Sequence, residues 1–248
     1  MAVSSIKHIL FDLGGTLMRA KKDWADIHHQ ADEALVNKLN EYDIQLNAKV
    51  FRARLEKYYN QRDMDFRETT YHFVLLELLK ELNYAEVSES ILRSALDAMY
   101  AITQTNWELE KDCLETLRSL KKRQFHLGIF SNAGDDKDVQ QLIQNFGIRD
   151  YFDFVLTSAA CYYRKPHARA FEIALAQWNI MPQEAVMIGD SLVADIYGAK
   201  KINMKTIWIT RRAQFTAEDM HRFKPDFSLR KLSELLPTLD LMNMKRMM

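Results

Sequence analysis

The chain has 248 residues, 48% of them hydrophobic and 27% charged, which is enough for one large buried core with a smaller appended domain. Lys plus Arg and Asp plus Glu both number 34, so there is no net charge to attract nucleic acid or an anionic membrane. The two cysteines are too few for a disulfide framework, and neither a secretory leader nor a membrane-spanning stretch is recognisable. We therefore expect a protein of the cytoplasm.

The first predicted element is a buried strand that ends at an acidic residue. The run 6–13 is rich in β-branched and aromatic residues, and Asp12 stands near its end, followed by Gly14 and Gly15. The carboxyl ends of strands in open α/β sheets are where ligands bind, and glycines let the backbone turn and approach a ligand closely. Asp12 is therefore a candidate functional residue, although an aspartate at this place can also simply bond its own turn.

A long helical region follows the first strand. From Trp24 to Gln104 the apolar residues recur at helical spacing, and no strand signal interrupts them. The second of these helices and the turn after it carry a basic and aromatic cluster. Such residues could meet an anionic substrate, but arginine stems that cover apolar surface are an equally ordinary explanation. The cluster consists of Arg52, Arg54, Tyr58, Tyr59, Arg62 and Arg67.

After Asp112 the pattern alternates between helix and strand. Helices are expected at 113–121, 139–146, 168–178 and 195–201, and strands at 125–130, 154–157, 185–188 and 206–209. This alternation predicts an α/β fold, a doubly wound parallel Rossmann-like sheet, with an all-helical cap inserted after the first strand. We expect residues 1–17 and 106–248 to form the catalytic core and residues 18–105 the cap. The methionine-rich tail, 239–248, predicts a terminal helix, packed or frayed, or else an adaptable contact surface.

Polar side chains follow three of the later strands. Ser131 and Asn132 offer a hydroxyl and an amide that can bind phosphate. Lys165 precedes a proline that fixes a turn, and it supplies a point charge. Asp190 and Asp195 provide the hard oxygen ligands that suit Mg²⁺. Each alone could be a helix cap or a solvated surface residue, but their order, each at the end of a predicted strand, indicates one shared site.

With these four motifs in this order, the sequence resembles the haloacid dehalogenase superfamily of hydrolases, in particular its small-molecule phosphatases with a helical cap. The resemblance implies that Asp12 is the nucleophile that forms an aspartyl-phosphate. It implies that Lys165 neutralises the nucleophile and the transferring group. Ser131 and Asn132 would bind the phosphoryl oxygens together with Lys165.

The same resemblance implies a bound Mg²⁺ and a substrate class. Asp12, the Gly14 carbonyl and Asp190 would hold the ion, and Asp195 would support these ligands. The implied activity is Mg²⁺-dependent hydrolysis of a small phosphorylated metabolite by a monomer or homodimer, with no nucleic acid or membrane as partner.

The chain departs from this family at Gly14. The family's phosphatases usually carry an aspartate there, which protonates the leaving oxygen and later activates water. Losing such a group typically costs about 10²–10⁴ in rate, which predicts reduced turnover. An alternative is a phosphate-binding regulatory protein with little turnover, and a 2-haloacid dehalogenase is less favoured because that branch carries an aromatic residue at this place. The sequence leaves open whether another group replaces the missing carboxylate.

Overall fold

The computed structural model describes residues 5–84 and 86–247 and contains a six-stranded sheet and a separate two-stranded ribbon. The strands are β1 (His8–Phe11), β2 (Met18–Ala20), β3 (Trp107–Leu109), β4 (His126–Ser131), β5 (Phe154–Thr157), β6 (Ala185–Gly189), β7 (Lys205–Ile209) and β8 (Phe227–Leu229). The helices are α1 (Trp24–Asn40), α2 (Ala48–Asp65), α3 (Tyr71–Glu81), α4 (Glu89–Thr105), α5 (Cys113–Lys122), α6 (Asp136–Asn145), α7 (Ser158–Cys161), α8 (Ala168–Ala176), α9 (Gly198–Lys201), α10 (Ala217–Phe223) and α11 (Leu235–Met247).

The large sheet has the strand order β5-β4-β1-β6-β7-β8, and every neighbouring pair is parallel. Strand β1 lies in the middle, with Phe11 in register with Ile129 of β4 and Ile188 of β6. Because strands are added on both sides of β1, the order reverses there, and such a switch point opens a crevice at the carboxyl ends. The predicted doubly wound sheet is confirmed.

The helical region packs around an apolar cluster of its own. Helices α1 to α4 bury leucines and one phenylalanine against each other, among them Leu35, Phe51, Leu75 and Leu96, all fully buried. The sheet has separate clusters on its two faces. The prediction of uninterrupted helices between Trp24 and Gln104 agrees with α1 to α4, whereas the exact domain boundaries stay a prediction.

Three short strands, the helices α7 and α10 and the start of one further helix were not predicted. Strands β2 and β3 form an antiparallel ribbon at the junction with the helical region, with Met18 opposite Leu109 and Ala20 opposite Trp107. Strand β8 completes the sheet edge next to β7. The helix expected from residue 195 begins earlier, as a wide helical turn at Leu192–Tyr197 that leads into α9. Three residues are too few to show a periodic pattern.

Contacts at two places in particular join the cap to the core. In the loop after α2, Glu68 is buried and bonds Arg164 and Ser158, and the backbone of residues 66–68 is bridged to that of residues 162–164. At α4, Arg93 Nη1 lies 2.6 Å from Asp135 Oδ2. The cap is therefore tied to the loops that follow β4 and β5.

Most of the cap's basic cluster is used in ion pairs inside the protein. Arg52 pairs with Asp32 at 2.6 Å, and Arg54 pairs with Glu81 at 2.5 Å. Arg62 reaches Glu68 at 3.4 Å. These three arginines are therefore paired with acids of the same helical region, a role that the sequence did not predict.

The C-terminal tail is a packed helix. Leu239 and Met242 of α11 are buried in the core cluster of the sheet, whereas Leu241 and Met244 are exposed. The packed alternative is therefore confirmed for the part of the tail that the structure describes, and residue 248 lies outside it. Among the described helices, none has the length and apolar character needed to cross a bilayer.

Candidate active site

Asp12 lies directly after β1, at the carboxyl edge of the sheet. Its backbone N–H donates to the carbonyl of Ile188 at 2.8 Å, which continues the parallel ladder by one residue and fixes the backbone. The Thr16 hydroxyl, fully buried, donates to Asp12 Oδ2 at 3.2 Å. The carboxylate is therefore held in one orientation at the floor of the crevice.

Lys165 reaches this carboxylate from the loop before α8. Its buried Nζ lies 2.7 Å from Asp12 Oδ1 and 2.7 Å from Asp195 Oδ1, and it donates to the Phe130 carbonyl at 2.8 Å. Burial by itself lowers the pKa of Lys165, but the two carboxylates outweigh burial and hold that pKa above its ordinary value. The ammonium is therefore charged, and it joins two acids that would otherwise repel each other.

The Asn132 side chain holds the backbone of Lys165. Asn132 Nδ2 donates to the Lys165 carbonyl at 2.9 Å, and the Lys165 N–H donates to Asn132 Oδ1 at 2.9 Å. These two hydrogen bonds occupy the Asn132 amide and fix the position of the Lys165 backbone. The part of Asn132 in phosphate binding stays a prediction. Ser131, the last residue of β4, is 8% exposed and faces the same cavity.

Three carboxylates converge beside the ammonium. Ligand oxygens of Asp12, Asp190 and Asp195 all lie within 4.8 Å of one another. Burial, followed by the charges of Asp12 and Asp195, raises the pKa of Asp190 to about 7. Burial and Asp12 also raise the pKa of Asp195 to about 6, against the opposing effect of Lys165. The cluster therefore carries more negative charge than Lys165 neutralises.

This cluster suits a hard divalent cation. Carboxylate oxygens at such mutual distances are the ligands that Mg²⁺ takes in phosphoryl-transfer sites, and a cation would remove the repulsion that raises these pKa values. Gly15 makes room for the Asp190 carboxylate, because a Cβ at Gly15 would stand 2.1 Å from Asp190 Oδ2, and its φ of +85° suits glycine. Of the two glycines after Asp12, only Gly15 needs the left-handed backbone.

Gly14 lies against an aromatic ring. A Cβ at Gly14 would meet Trp107 Cη2 at 3.0 Å, and Trp107 in turn packs on Trp24, with ring centroids 5.0 Å apart. A side chain at this position would therefore require the indole to shift by a few tenths of an ångström. The ring packs against the backbone from which the family's usual second carboxylate would extend.

All the predicted site residues line one cavity of about 330 Å³. The cavity also contains residues that the sequence did not single out, chiefly Trp107 from β3 and Asp138 from α6. Outside it, Arg212 donates to the Gly15 carbonyl at 3.1 Å and supports the turn after Asp12. No motif marks these three residues, because only the folded chain brings them to the site. The predicted lining residues are Asp12, Gly14, Ser131, Asn132, Lys165, Asp190 and Asp195.

The sheet, the helical insertion and the carboxylate–lysine cluster together define a hydrolase of the Rossmann-like class. The comparison with protein families is more specific, since residues 9–209 match the family model of the haloacid dehalogenase-like hydrolases. The chain belongs to this family, and the resemblance inferred from its four motifs is confirmed.

Relatives that match this chain in sequence include proteins named as phosphatases. The chain is 32% identical over 126 residues to the glyceraldehyde 3-phosphate phosphatase of Pyrococcus furiosus, which covers 51% of this chain and 52% of that protein. It is 34% identical over 129 residues to pyrophosphatase PpaX of Bacillus cereus, covering 52% of this chain and 58% of that one. The chain therefore spans about half the length of the curated relatives that it matches.

Solved structures share the whole architecture. A 2-haloacid dehalogenase from Pseudomonas syringae matches with a TM-score of 0.69 and 24% identity, over 96% of this chain and 99% of that one. A HAD phosphatase from Thermococcus onnurineus matches with a TM-score of 0.65 and 24% identity, over 94% and 98%. At this level of identity the likeness shows the fold alone, and the fold occurs with both chemistries.

Proposed function

We propose that the protein is a Mg²⁺-dependent phosphatase of a small phosphorylated metabolite that acts through an aspartyl-phosphate on Asp12. The observation that carries this proposal is the position of Lys165, whose buried Nζ lies 2.7 Å from both Asp12 and Asp195 at the edge of the sheet. Phosphoryl transfer depends mainly on positioning and on neutralising charge, and this arrangement provides both.

In the first step an oxygen of Asp12 attacks phosphorus and the bond from phosphorus to the leaving oxygen breaks. Lys165 lowers the repulsion between the Asp12 carboxylate and the incoming phosphate, and Thr16 holds the second carboxylate oxygen. Ser131 stands where its hydroxyl can donate to a phosphoryl oxygen. Asp12, Asp190 and the Gly14 carbonyl would hold a Mg²⁺ ion, which would supply further charge neutralisation.

In the second step water attacks the aspartyl-phosphate and releases inorganic phosphate. The bond between phosphorus and the Asp12 oxygen breaks, so the carboxylate and its contact with Lys165 are restored. Asp195 keeps Lys165 in place through both steps, and its Oδ2 accepts the Ser191 N–H at 2.9 Å. The net reaction is hydrolysis of a phosphate monoester.

The names of the relatives support a phosphatase, and the charge balance supports a small soluble substrate. The P. furiosus relative is named for a phosphorylated sugar-like metabolite and the B. cereus relative for pyrophosphate. Equal numbers of acidic and basic residues give no surface field for a polyanionic partner. We propose action in the cytoplasm, as a monomer or homodimer.

The test is phosphate release from a panel of phosphorylated metabolites, with and without Mg²⁺. Asp12→Asn keeps the shape of the side chain but removes the nucleophile, so release should fall by at least about 10³-fold. Asp150→Asn is the matched control, because Asp150 is exposed and is not among the residues that line the cavity. Activity of Asp12→Asn within a few-fold of the parent would contradict the proposal.

A phosphate-binding regulatory protein is the second candidate. The observation that favours it is Gly14, which lacks the carboxylate and packs against the Trp107 ring. It predicts tight binding of phosphate or a phosphorylated metabolite without release of product. The same panel distinguishes the two candidates, since turnover by the parent supports the phosphatase.

A further inference from the structure

One carboxylate in the cavity takes no part in the cluster around Lys165. Four acids line the cavity, and three of them, Asp12, Asp190 and Asp195, form the group whose oxygens lie within 4.8 Å of one another. Asp138, in the first turn of α6, is the fourth. It lines the same cavity as Gly14 and Trp107.

We propose that Asp138 is the general acid and base of the phosphatase and replaces the carboxylate that Gly14 lacks. This inference rests on the proposed function and names the residue that would complete it. It places the proton donor on the core helix that follows Ser131, instead of on the loop that follows β1.

The two oxygens of Asp138 have different surroundings. Oδ1 accepts the Gln104 Nε2–H at 2.8 Å, and Gln104 is itself held by Asn145, whose Nδ2 donates to Gln104 Oε1 at 3.2 Å. Oδ2 makes no hydrogen bond to any residue that the structure describes. One oxygen thus fixes the carboxyl group, and the other is available to a leaving oxygen or a water molecule.

The protonation of Asp138 suits both halves of the reaction. Burial raises the pKa of its carboxyl to about 6, and Asp135 and Asp97 act in the same direction, against the Gln104 hydrogen bond and the charge of Arg93. From the other wall, Asp12, Lys165, Asp190 and Asp195 face the same cavity. A pKa near the working pH lets one group serve first as acid and then as base.

The proton balance closes with this single group. As the bond from phosphorus to the leaving oxygen breaks, protonated Asp138 gives its proton to that oxygen and the alcohol departs. The resulting carboxylate then takes a proton from the water that attacks the aspartyl-phosphate. Asp138 ends each cycle protonated, and Asp12 ends it as a free carboxylate.

The decisive variant is Asp138→Asn, because the amide oxygen can still accept from Gln104 while no proton can be exchanged. Its turnover of alkyl phosphates should fall by about 10²–10⁴-fold, since a poor leaving group needs the acid. An aryl phosphate should still phosphorylate Asp12, giving a burst of phenol followed by slow turnover. Acid quenching should trap more phosphoenzyme in the variant than in the parent.

Asp97→Asn is the matched control. Asp97 is a half-exposed acid at the same contact between α4 and α6, where it pairs with Arg93 and Lys137, but it does not line the cavity. It should turn over alkyl and aryl phosphates in the same ratio as the parent, without a burst.

A second variant keeps the inference testable if Asp138→Asn does not fold. Gln104→Leu removes the hydrogen bond that lowers the pKa of Asp138, so the alkaline limb of the pH profile of kcat/KM, above which the acid is deprotonated, should move to higher pH. Carboxyl ¹³C spectra of the metal-free parent should contain a resonance that titrates near pH 6 and that Gln104→Leu moves to higher pH.

Three results would overturn the inference. The first is that Asp138→Asn turns over alkyl phosphates within about threefold of the parent. The second is that folded Asp138→Asn shows neither a burst of phenol from the aryl phosphate nor turnover of it. The third is an Asp138 resonance that titrates at its ordinary pH. Failure of the phosphatase itself is separate, because it shows as a parent without activity or as an active Asp12→Asn.

Discussion

The Lys165 ammonium neutralises part of the negative charge of the site. How strongly each acidic residue needs a metal ion therefore depends on whether it contacts Lys165. Its ammonium contacts Asp12 and Asp195 directly, whereas no contact between Lys165 and Asp190 is formed among the described residues. Asp190 is therefore the member of the acidic cluster that depends most on a second cation.

This difference leads to a prediction for Asp190→Ala. The Mg²⁺ concentration that gives half of the maximal activity should rise at least about tenfold, because the remaining acids are already paired with Lys165. The measurement is a Mg²⁺ titration of phosphate release, with Asp150→Ala as control. Superimposable titration curves for the parent and Asp190→Ala would show that Asp190 is not a ligand.

The titration of Asp138 should also make the free energy of unfolding depend on pH. Its pKa is raised from 3.8 to about 6, so the folded protein binds more protons than the unfolded chain between those pH values. The contribution of Asp138 to stability is therefore fully present below about pH 4 and is lost as the pH rises through about 6. Asp138→Asn should remove this loss, and its free energy of unfolding should exceed that of the parent at pH 7.

Urea denaturation of the metal-free protein at pH 4 and pH 7 measures this effect. The difference between variant and parent should be larger at pH 7 than at pH 4. Equal differences at the two pH values would mean that the carboxyl titrates alike in the folded and unfolded chain.

Among the secondary-structure elements, the buried strands were predictable and the short ones were not. Strands β1, β4 and β6 are continuous apolar runs with both faces covered, so composition alone indicates them. The ribbon of β2 and β3 depends on pairing between Met18 and Leu109, which are separated by the whole cap. No local pattern can contain that information.

The site shows the same division between local and long-range information. Asp12, Ser131, Lys165 and Asp190 follow strands or a fixed turn, so topology predicted that they would meet. Asp138 enters the cavity because the first turn of α6 lies against the Gln104 end of α4. That contact is a product of packing between the cap and the core.

The loop between α2 and α3 carries a buried charge whose loss should be costly. Glu68 has a fully buried side chain and Arg164 is 11% exposed, so Glu68→Ala would remove the buried carboxylate that pairs with this guanidinium and accepts from the Ser158 hydroxyl. We expect a loss of about 3–5 kcal/mol in the free energy of unfolding. Glu81→Ala, which breaks the exposed Arg54 pair of the same cap, should cost only about 0–1 kcal/mol.

Urea denaturation of the two variants under one set of conditions checks this contrast. A loss for Glu68→Ala no larger than that for Glu81→Ala would show that the buried network adds nothing beyond a surface pair. Because Arg164 precedes Lys165, the activity of Glu68→Ala should fall as well.

For the whole molecule, the cap acts on the site from outside the cavity. Every lining residue comes from β3 or from the strands, helices and loops of the sheet domain, and helices α1 to α4 contribute none of those that the structure describes. The cap reaches the chemistry through contacts with loops, chiefly Gln104 on Asp138 and Glu68 beside Lys165. Cap and core therefore depend on each other without sharing the cavity surface.

The β2–β3 ribbon has a consequence for how such a molecule can be rebuilt. Ala20 and Trp107 stand directly opposite each other, so the chain leaves and re-enters the core at one point. The helical segment is thus a cassette with adjacent ends, and a two-residue Asn-Gly turn between these strands would close them as an ordinary hairpin. The same junction would accept another inserted segment whose two ends lie close together. The cap can therefore be exchanged while the carboxylate cluster in the core keeps its geometry.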